Sequence, residues 1–148
     1  MKIRDLLKSK SGPVITITPN DTISAAVLKL TEYDLGSLPV CNNKGELVGI
    51  VSERDLVRKC FKSIDACANF KVKDVMSKEV AVGIPDDDLE YAVSVMKQKK
   101  IRHLPIVDNQ RMVGMVSIRD LLDVELKEAQ AEVRYAGLVT RRQPRRIV

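Results

Sequence analysis

The chain is expected to be an α+β protein built from two β-α-β-β-α repeats, packed sheet to sheet with pseudo-two-fold symmetry. Three observations lead there. VGIVSERDL at 48–56 returns as VGMVSIRDL at 113–121, identical at seven of nine positions. Other blocks match in the same order: IRDLL at 3–7 with VKDVM at 72–76, VITITPNDTISAAVLKL at 14–30 with VAVGIPDDDLEYAVSVM at 80–96, and LGSLPV at 35–40 with IRHLPI at 101–106. A repeat of this length is one supersecondary unit used twice. Within each copy, the apolar pattern alternates as in a strand, then recurs at helical spacing, then alternates again.

Each element has a local cause. Val14–Thr18 and Val80–Ile84 are β-branched runs that alternate like strands. Pro19 or Pro85 ends the run, and Asn20-Asp21-Thr22 or Asp86-Asp87-Asp88 offers the side chains that cap a helix start. Ile23, Ala26, Val27 and Leu30 then form a helical stripe, as do Leu89, Val93 and Met96. Two strands follow, joined by the turn formers Asn42-Asn43-Lys44-Gly45 and Asp108-Asn109-Gln110-Arg111. The second strand enters a helix at Ser52 or Ser117. One such unit exposes an apolar sheet face that it cannot cover alone, so two are expected to pair. The expected division is a first motif over 1–62, a linker over 63–71, a second motif over 72–127, and a helix extension with a basic tail over 128–148.

Composition narrows the function. The 148 residues are 45% hydrophobic and 30% charged, as in an ordinary globular protein, with only 3% aromatic and no Trp. So few aromatics leave no platform on which single-stranded bases could stack. No apolar run reaches the ~20 residues that span a bilayer, and the charged N-terminus is unlike a signal peptide; a cytoplasmic location and no membrane partner are expected. The net charge of +5 is carried by the C-terminus. Arg134, Arg141, Arg142, Arg145 and Arg146 stand there without an acid, while residues 1–132 hold as many basic as acidic side chains. The tail reads as a frayed, soluble segment, or as a docking arm for an acidic partner, RNA or DNA. Cys41, Cys60 and Cys67 form no CxxC pair, and His103 is the lone histidine, so no metal is expected and the cysteines read as reduced structural thiols. With no Walker sequence, no GxGxxG and no nucleophile–His–acid set, the chain is not expected to be an enzyme.

The repeated octapeptide has two readings. Ser-x-x-Asp at a helix start is close to a capping box, with Ser52 and Ser117 at N-cap and Asp55 and Asp120 at N3. Loss of such a cap costs roughly 1 kcal/mol. Capping accounts for Ser and Asp but leaves Arg54 and Arg119 unexplained, because the helix dipole disfavours a cation there. It also leaves the shared glycine unexplained. Free N–H groups, a hydroxyl and an Arg suit phosphate oxygens, and a carboxylate beside them suits a pair of sugar hydroxyls. Together they match a ribonucleotide.

The tandem repeats, the LPV and LPI strands and the two G-h-V-S-x-R-D-L blocks resemble a pair of CBS motifs, a Bateman module, over about residues 1–127. The resemblance implies two clefts, each taking an adenosine nucleotide (AMP, ADP or ATP) as a regulatory ligand, with no catalytic cofactor. S-adenosylmethionine and NAD are alternative ligands in that family. Carried onto this chain, it implies that Ser52, Arg54 and Asp55 meet Val80, Ala81, Arg102 and His103 in one cleft, with Ile50 lining the base pocket. The other cleft joins Ser117, Arg119 and Asp120 to Val14, Ile15, Thr16, Gly36 and Ser37, with Met115 lining the base. The Asp residues would hold the ribose. On that grouping, Arg102 and His103 make the Asp55 cleft the more cationic one. A homodimer and an effector protein are implied as partners. A nucleic acid is the alternative, through the Arg tail.

Overall fold

The computed structural model describes residues 1–135, and the side chains of residues 1–133. The segment 136–148, on which most of the tail expectation falls, lies outside the described residues. The first repeat comprises α1 (Ile3–Ser9), α2 (Ile23–Glu32), β1 (Ser37–Cys41), β2 (Leu47–Ser52) and α3 (Glu53–Cys60). A short α4 (Ile64–Cys67) follows. The second repeat comprises α5 (Val72–Val75), α6 (Leu89–Lys99), β3 (His103–Asp108), β4 (Arg111–Ser117) and α7 (Ile118–Tyr135). No helix among the described residues is long and apolar enough to cross a membrane.

The expected inner strands are antiparallel hairpins. In the first, Ser37 pairs with Ser52 and Leu38 with Val51; in the second, His103 pairs with Ser117 and Leu104 with Val116. Gly45, at φ 77°, closes one turn, and Asn109 and Gln110, at φ 50° and 69°, close the other. Positive φ at both central residues is the geometry that suits the twist of a two-residue hairpin. The first strand of each repeat is reduced to a single parallel bridge, Ile17 to Val40 and Gly83 to Ile106. Prolines Pro19 and Pro85 follow within two residues, so the extended runs stop before a ladder can form.

The two repeats pair as expected, with pseudo-two-fold symmetry. There are two clusters, and each is completed by the leading helix of the other repeat. Ile3 and Leu6 of α1 pack with Ala92, Met96, Leu104, Ile106, Val116 and Leu121. Val72 and Val75 of α5 pack with Ile17, Ala26, Leu30, Leu38, Val40, Val51 and Leu56. The same backbone contacts recur. Ile3 N–H donates to Asp87 O at 2.9 Å and Arg4 N–H to Pro85 O at 3.0 Å; Val72 N–H donates to Asp21 O and Lys73 N–H to Pro19 O, both at 2.9 Å. Asp5 and Asp74, matched in the sequence, accept from the N–H groups of Lys2 and Lys71 at the two helix starts. The hairpin tips also meet, through Leu47 N–H to Gln110 O and Met112 N–H to Gly45 O, each 3.0 Å.

Two expectations are corrected. Val27 and Val93, assigned to core stripes, are exposed; Ala92 takes the inward place in α6. Cys60 and Cys67, read as thiols, are joined as a disulfide, with Cα atoms 5.1 Å apart. Ser63 caps α4 and folds the chain back beside the end of α3, which places Cys67 in the first core cluster rather than in an open linker. Cys41 remains a buried thiol whose pKa burial raises.

Candidate functional site

Both octapeptides form full capping boxes. Ser52 Oγ accepts from Asp55 N–H at 3.1 Å, and Asp55 Oδ2 accepts from Ser52 N–H at 2.9 Å. Ser117 and Asp120 repeat those two distances. Each carboxylate therefore spends Oδ2 on the cap, and no described residue donates to Oδ1. Arg54 and Arg119 sit at the second helical position, exposed, with no acid paired to either among the described residues.

Hairpin pairing decides which junction lies beside which cap. Ser37 faces Ser52, and Glu53 N–H donates to Gly36 O at 3.0 Å. His103 faces Ser117, and Ile118 N–H donates to Arg102 O at 2.8 Å. A hairpin brings its own first and last residues together, so Gly36 and Ser37 stand beside Asp55, and Arg102 and His103 beside Asp120. This differs from the cross-wise grouping that the resemblance implied. The extra cationic character belongs to the Asp120 side.

The remaining expected residues frame these edges. Ile15 packs on the first cluster and Ala81 on the second; Val14, Thr16 and Val80 are half-buried. Thr16 O accepts from Lys29 Nζ at 2.6 Å. Ile50 exchanges two 2.9 Å backbone hydrogen bonds with Ser77, whereas Met115 O accepts from the side chain of Lys10 at 2.7 Å. No hydrogen bond connects residues 14–16 or 80–81 to either Asp carboxylate. An open apolar depression among the described residues is lined by Ile23, Ser24, Val27, Leu28 and Thr31. None of these belongs to the expected clefts.

Lys10 escaped the sequence reading. Its Nζ also donates to Asp120 Oδ2 at 2.8 Å, across 110 positions of sequence. Nothing local signals this contact, since it depends on α1 docking in the second repeat. Burial alone would raise the Asp120 carboxyl; the Lys10 ammonium and the Ser117 hydrogen bonds outweigh it and hold the pKa below its ordinary value. Burial pushes the His103 imidazole down, the Asp120 carboxylate opposes that, and Lys10 and Arg102 reinforce it, so His103 titrates below its ordinary value.

The chain belongs to the CBS-domain family, whose pattern matches residues 3–62 and 72–127. It is 38% identical over 110 residues to inosine-5'-monophosphate dehydrogenase of Methanocaldococcus jannaschii, covering 74% of this chain and 21% of that enzyme. It is 38% identical over 113 residues to the uncharacterised protein MK0525 of Methanopyrus kandleri, covering 76% of this chain and 58% of that protein. The chain thus spans less than two thirds of either relative. Among solved structures, it superposes with a TM-score of 0.73 on the CBS domain pair of protein MJ0100, in complex with 5'-methylthioadenosine and S-adenosyl-L-methionine. That match has 25% identity and covers 86% of this chain and 98% of the other.

Proposed function

We propose that this chain is a non-catalytic regulatory module that binds AMP, ADP or ATP in clefts at Asp55 and Asp120 and passes occupancy to a partner protein. The observation that carries the reading is the half-used carboxylate at each repeated helix start. Oδ2 completes the cap, which fixes the group, and Oδ1 is left to accept from ribose hydroxyls. The neighbouring Arg54 or Arg119 can meet phosphate oxygens. Ile50 or Met115 would line the base, with residues 14–16 and 80–81 along its edge. The adenosine moiety common to both ligands of the MJ0100 pair supports this choice. A second reading, an S-adenosylmethionine-type ligand at Asp55, is favoured by the uncharged Gly36 and Ser37 beside that carboxylate.

Thermal shifts with AMP, ADP, ATP, NAD and S-adenosylmethionine test both readings on wild type, Asp55→Ala, Asp120→Ala and Ser52→Ala. Ligand at ~100 times its dissociation constant adds about 2.7 kcal/mol of stability. Each Asp variant is expected to lose the increment of its own cleft. Ser52→Ala, which loses the cap but keeps the carboxylate, is expected to retain most of it. No shift with any adenosine ligand sinks the proposal.

The proposed assembly is a homodimer. Both repeats expose apolar side chains at the same three places: Val27, Val57 and Phe61 in one, Val93, Leu122 and Leu126 in the other. Phe61 is 86% exposed. Random surface exposure does not follow a repeat, whereas a second copy with the same symmetry can cover both faces. Leu122→Asp is expected to shift sedimentation toward monomer; an unchanged mass for the variant, or a monomeric wild type, counts against it.

A further inference from the structure

Besides Arg102, a second cation distinguishes the two clefts. Lys10 reaches across the second from the segment after α1, donating to Asp120 Oδ2 at 2.8 Å and to Met115 O at 2.7 Å. Its side chain is 36% exposed and that of Asp120 19%, so the pair is partly shielded from water. Among the described residues the first cleft has no equivalent. Counted from the matched Asp5 and Asp74, the residue five places on is Lys10 in one copy and Glu79 in the other, and Glu79 is exposed. The cause is helix length. α5 ends at Val75, so the chain runs extended at Ser77 and its backbone pairs with Ile50. α1 continues to Ser9, no backbone pairs with Met115 from that side, and the Lys10 ammonium takes the Met115 carbonyl instead.

We infer that Lys10 makes the Asp120 cleft selective for polyphosphate-bearing adenosine ligands, leaving neutral or cationic adenosine ligands to the Asp55 cleft. The inference rests on the nucleotide reading above and deepens it. A ribose diol that binds Asp120 meets a carboxylate already held by an ammonium. With the Lys10 ammonium on Oδ2 already neutralising the charge, the free Oδ1 is a weaker acceptor than that of Asp55, and a nucleoside alone brings nothing to draw the ammonium away. A di- or triphosphate does, because it can take the ammonium, together with Arg102 and Arg119, as its own counter-charge. Lys10 is followed by Ser11-Gly12-Pro13, exposed, with Gly12 at φ 91°, a conformation that L side chains rarely adopt. That turn gives the lysine a pivot on which to swing from carboxylate to phosphate without moving α1.

Titration calorimetry with adenosine and with ATP tests this on wild type, Lys10→Met, Asp55→Ala and the Asp55→Ala/Lys10→Met pair. Met keeps the aliphatic length and removes the charge. Wild type is expected to bind adenosine at one site and ATP at two. In the Asp55→Ala background, Lys10→Met is expected to admit adenosine to the remaining cleft and to weaken ATP there about tenfold, the scale of one lost charge-assisted contact. Adenosine and ATP affinities that ignore residue 10 while both still bind overturn the inference and leave the nucleotide reading standing. Failure of wild type to bind either ligand overturns both.

Discussion

Replacing Ile3 by Ala is expected to lower the unfolding free energy by about 2–5 kcal/mol, the range for emptying a closed core site. Ordinarily the first residues of a chain tolerate change because nothing ties them down. Here Ile3 is fully buried, and it lies in the core of the second repeat, with Leu104, Ile106 and Val116. Its N–H is bonded to Asp87 O at 2.9 Å, which holds the start of α1 against the turn after Pro85. Small domains have about 5–15 kcal/mol in total, so this single change removes a large fraction. Because α1 supplies the second core and α5 the first, neither repeat closes alone, and a single unfolding transition is expected in wild type. Urea denaturation gives both quantities. Met1→Ala is the comparison, since Met1 is exposed and surface changes usually stay within about 0.5 kcal/mol. A loss for Ile3→Ala no larger than that would mean that α1 does not complete the second core.

The sequence made the duplication legible, and with it the helix starts. Ser52, Asp55, Ser117 and Asp120 could be read as capping boxes because a cap is local: all its partners lie within three residues. The hairpins were legible for the same reason, through turn residues and alternation. Long-range choices were not. Periodicity says that Ile3 and Val72 are apolar and helical, but it does not say which repeat they join. The stripe Ile23, Ala26, Val27, Leu30 has the right spacing for a core face, yet Val27 is 47% exposed while the other three are buried. Val93 is likewise exposed at the matching place, which turns an error of assignment into a repeated feature. Cys60 and Cys67 were unreadable as a pair because their approach depends on α4, a four-residue helix with no apolar period of its own. At the candidate site, Asp55 and Asp120 were legible as cap residues, and Arg54 and Arg119 stand exposed beside them. Lys10 was not legible, and the share of Arg102 and His103 fell to the other side once the hairpins fixed their neighbours.

Gly49→Ala is expected to destabilise the protein by about 1–3 kcal/mol, and Gly114→Ala by less, although the two glycines occupy the same place in the repeat. A β-carbon built at Gly49 would lie 2.7 Å from Met76 Sδ and 2.9 Å from Ser77 O. The second of these is backbone, fixed by the two hydrogen bonds between Ile50 and Ser77, so the new methyl can be accommodated only by parting that bridge. At Gly114 the nearest atoms, 2.5 and 2.9 Å away, are the two methyls of Leu7. Those can turn aside. Replacing Gly by Ala within a strand ordinarily gains about 0.5–1 kcal/mol from backbone entropy, which is smaller than the overpacking cost at Gly49 but comparable to it at Gly114. The double variant Gly114→Ala/Leu7→Ala should show a favourable coupling, since the smaller side chain vacates the space the methyl needs; Gly49→Ala/Met76→Ala should recover less, because Ser77 O stays in place. Equal costs for the two single glycine variants, or full recovery at Gly49, would refute the distinction. The glycine in both octapeptides is thus kept by the approach of the other repeat's leading segment. Ser and Asp close the cap, and the Arg shared by the two octapeptides is exposed and takes no part in it.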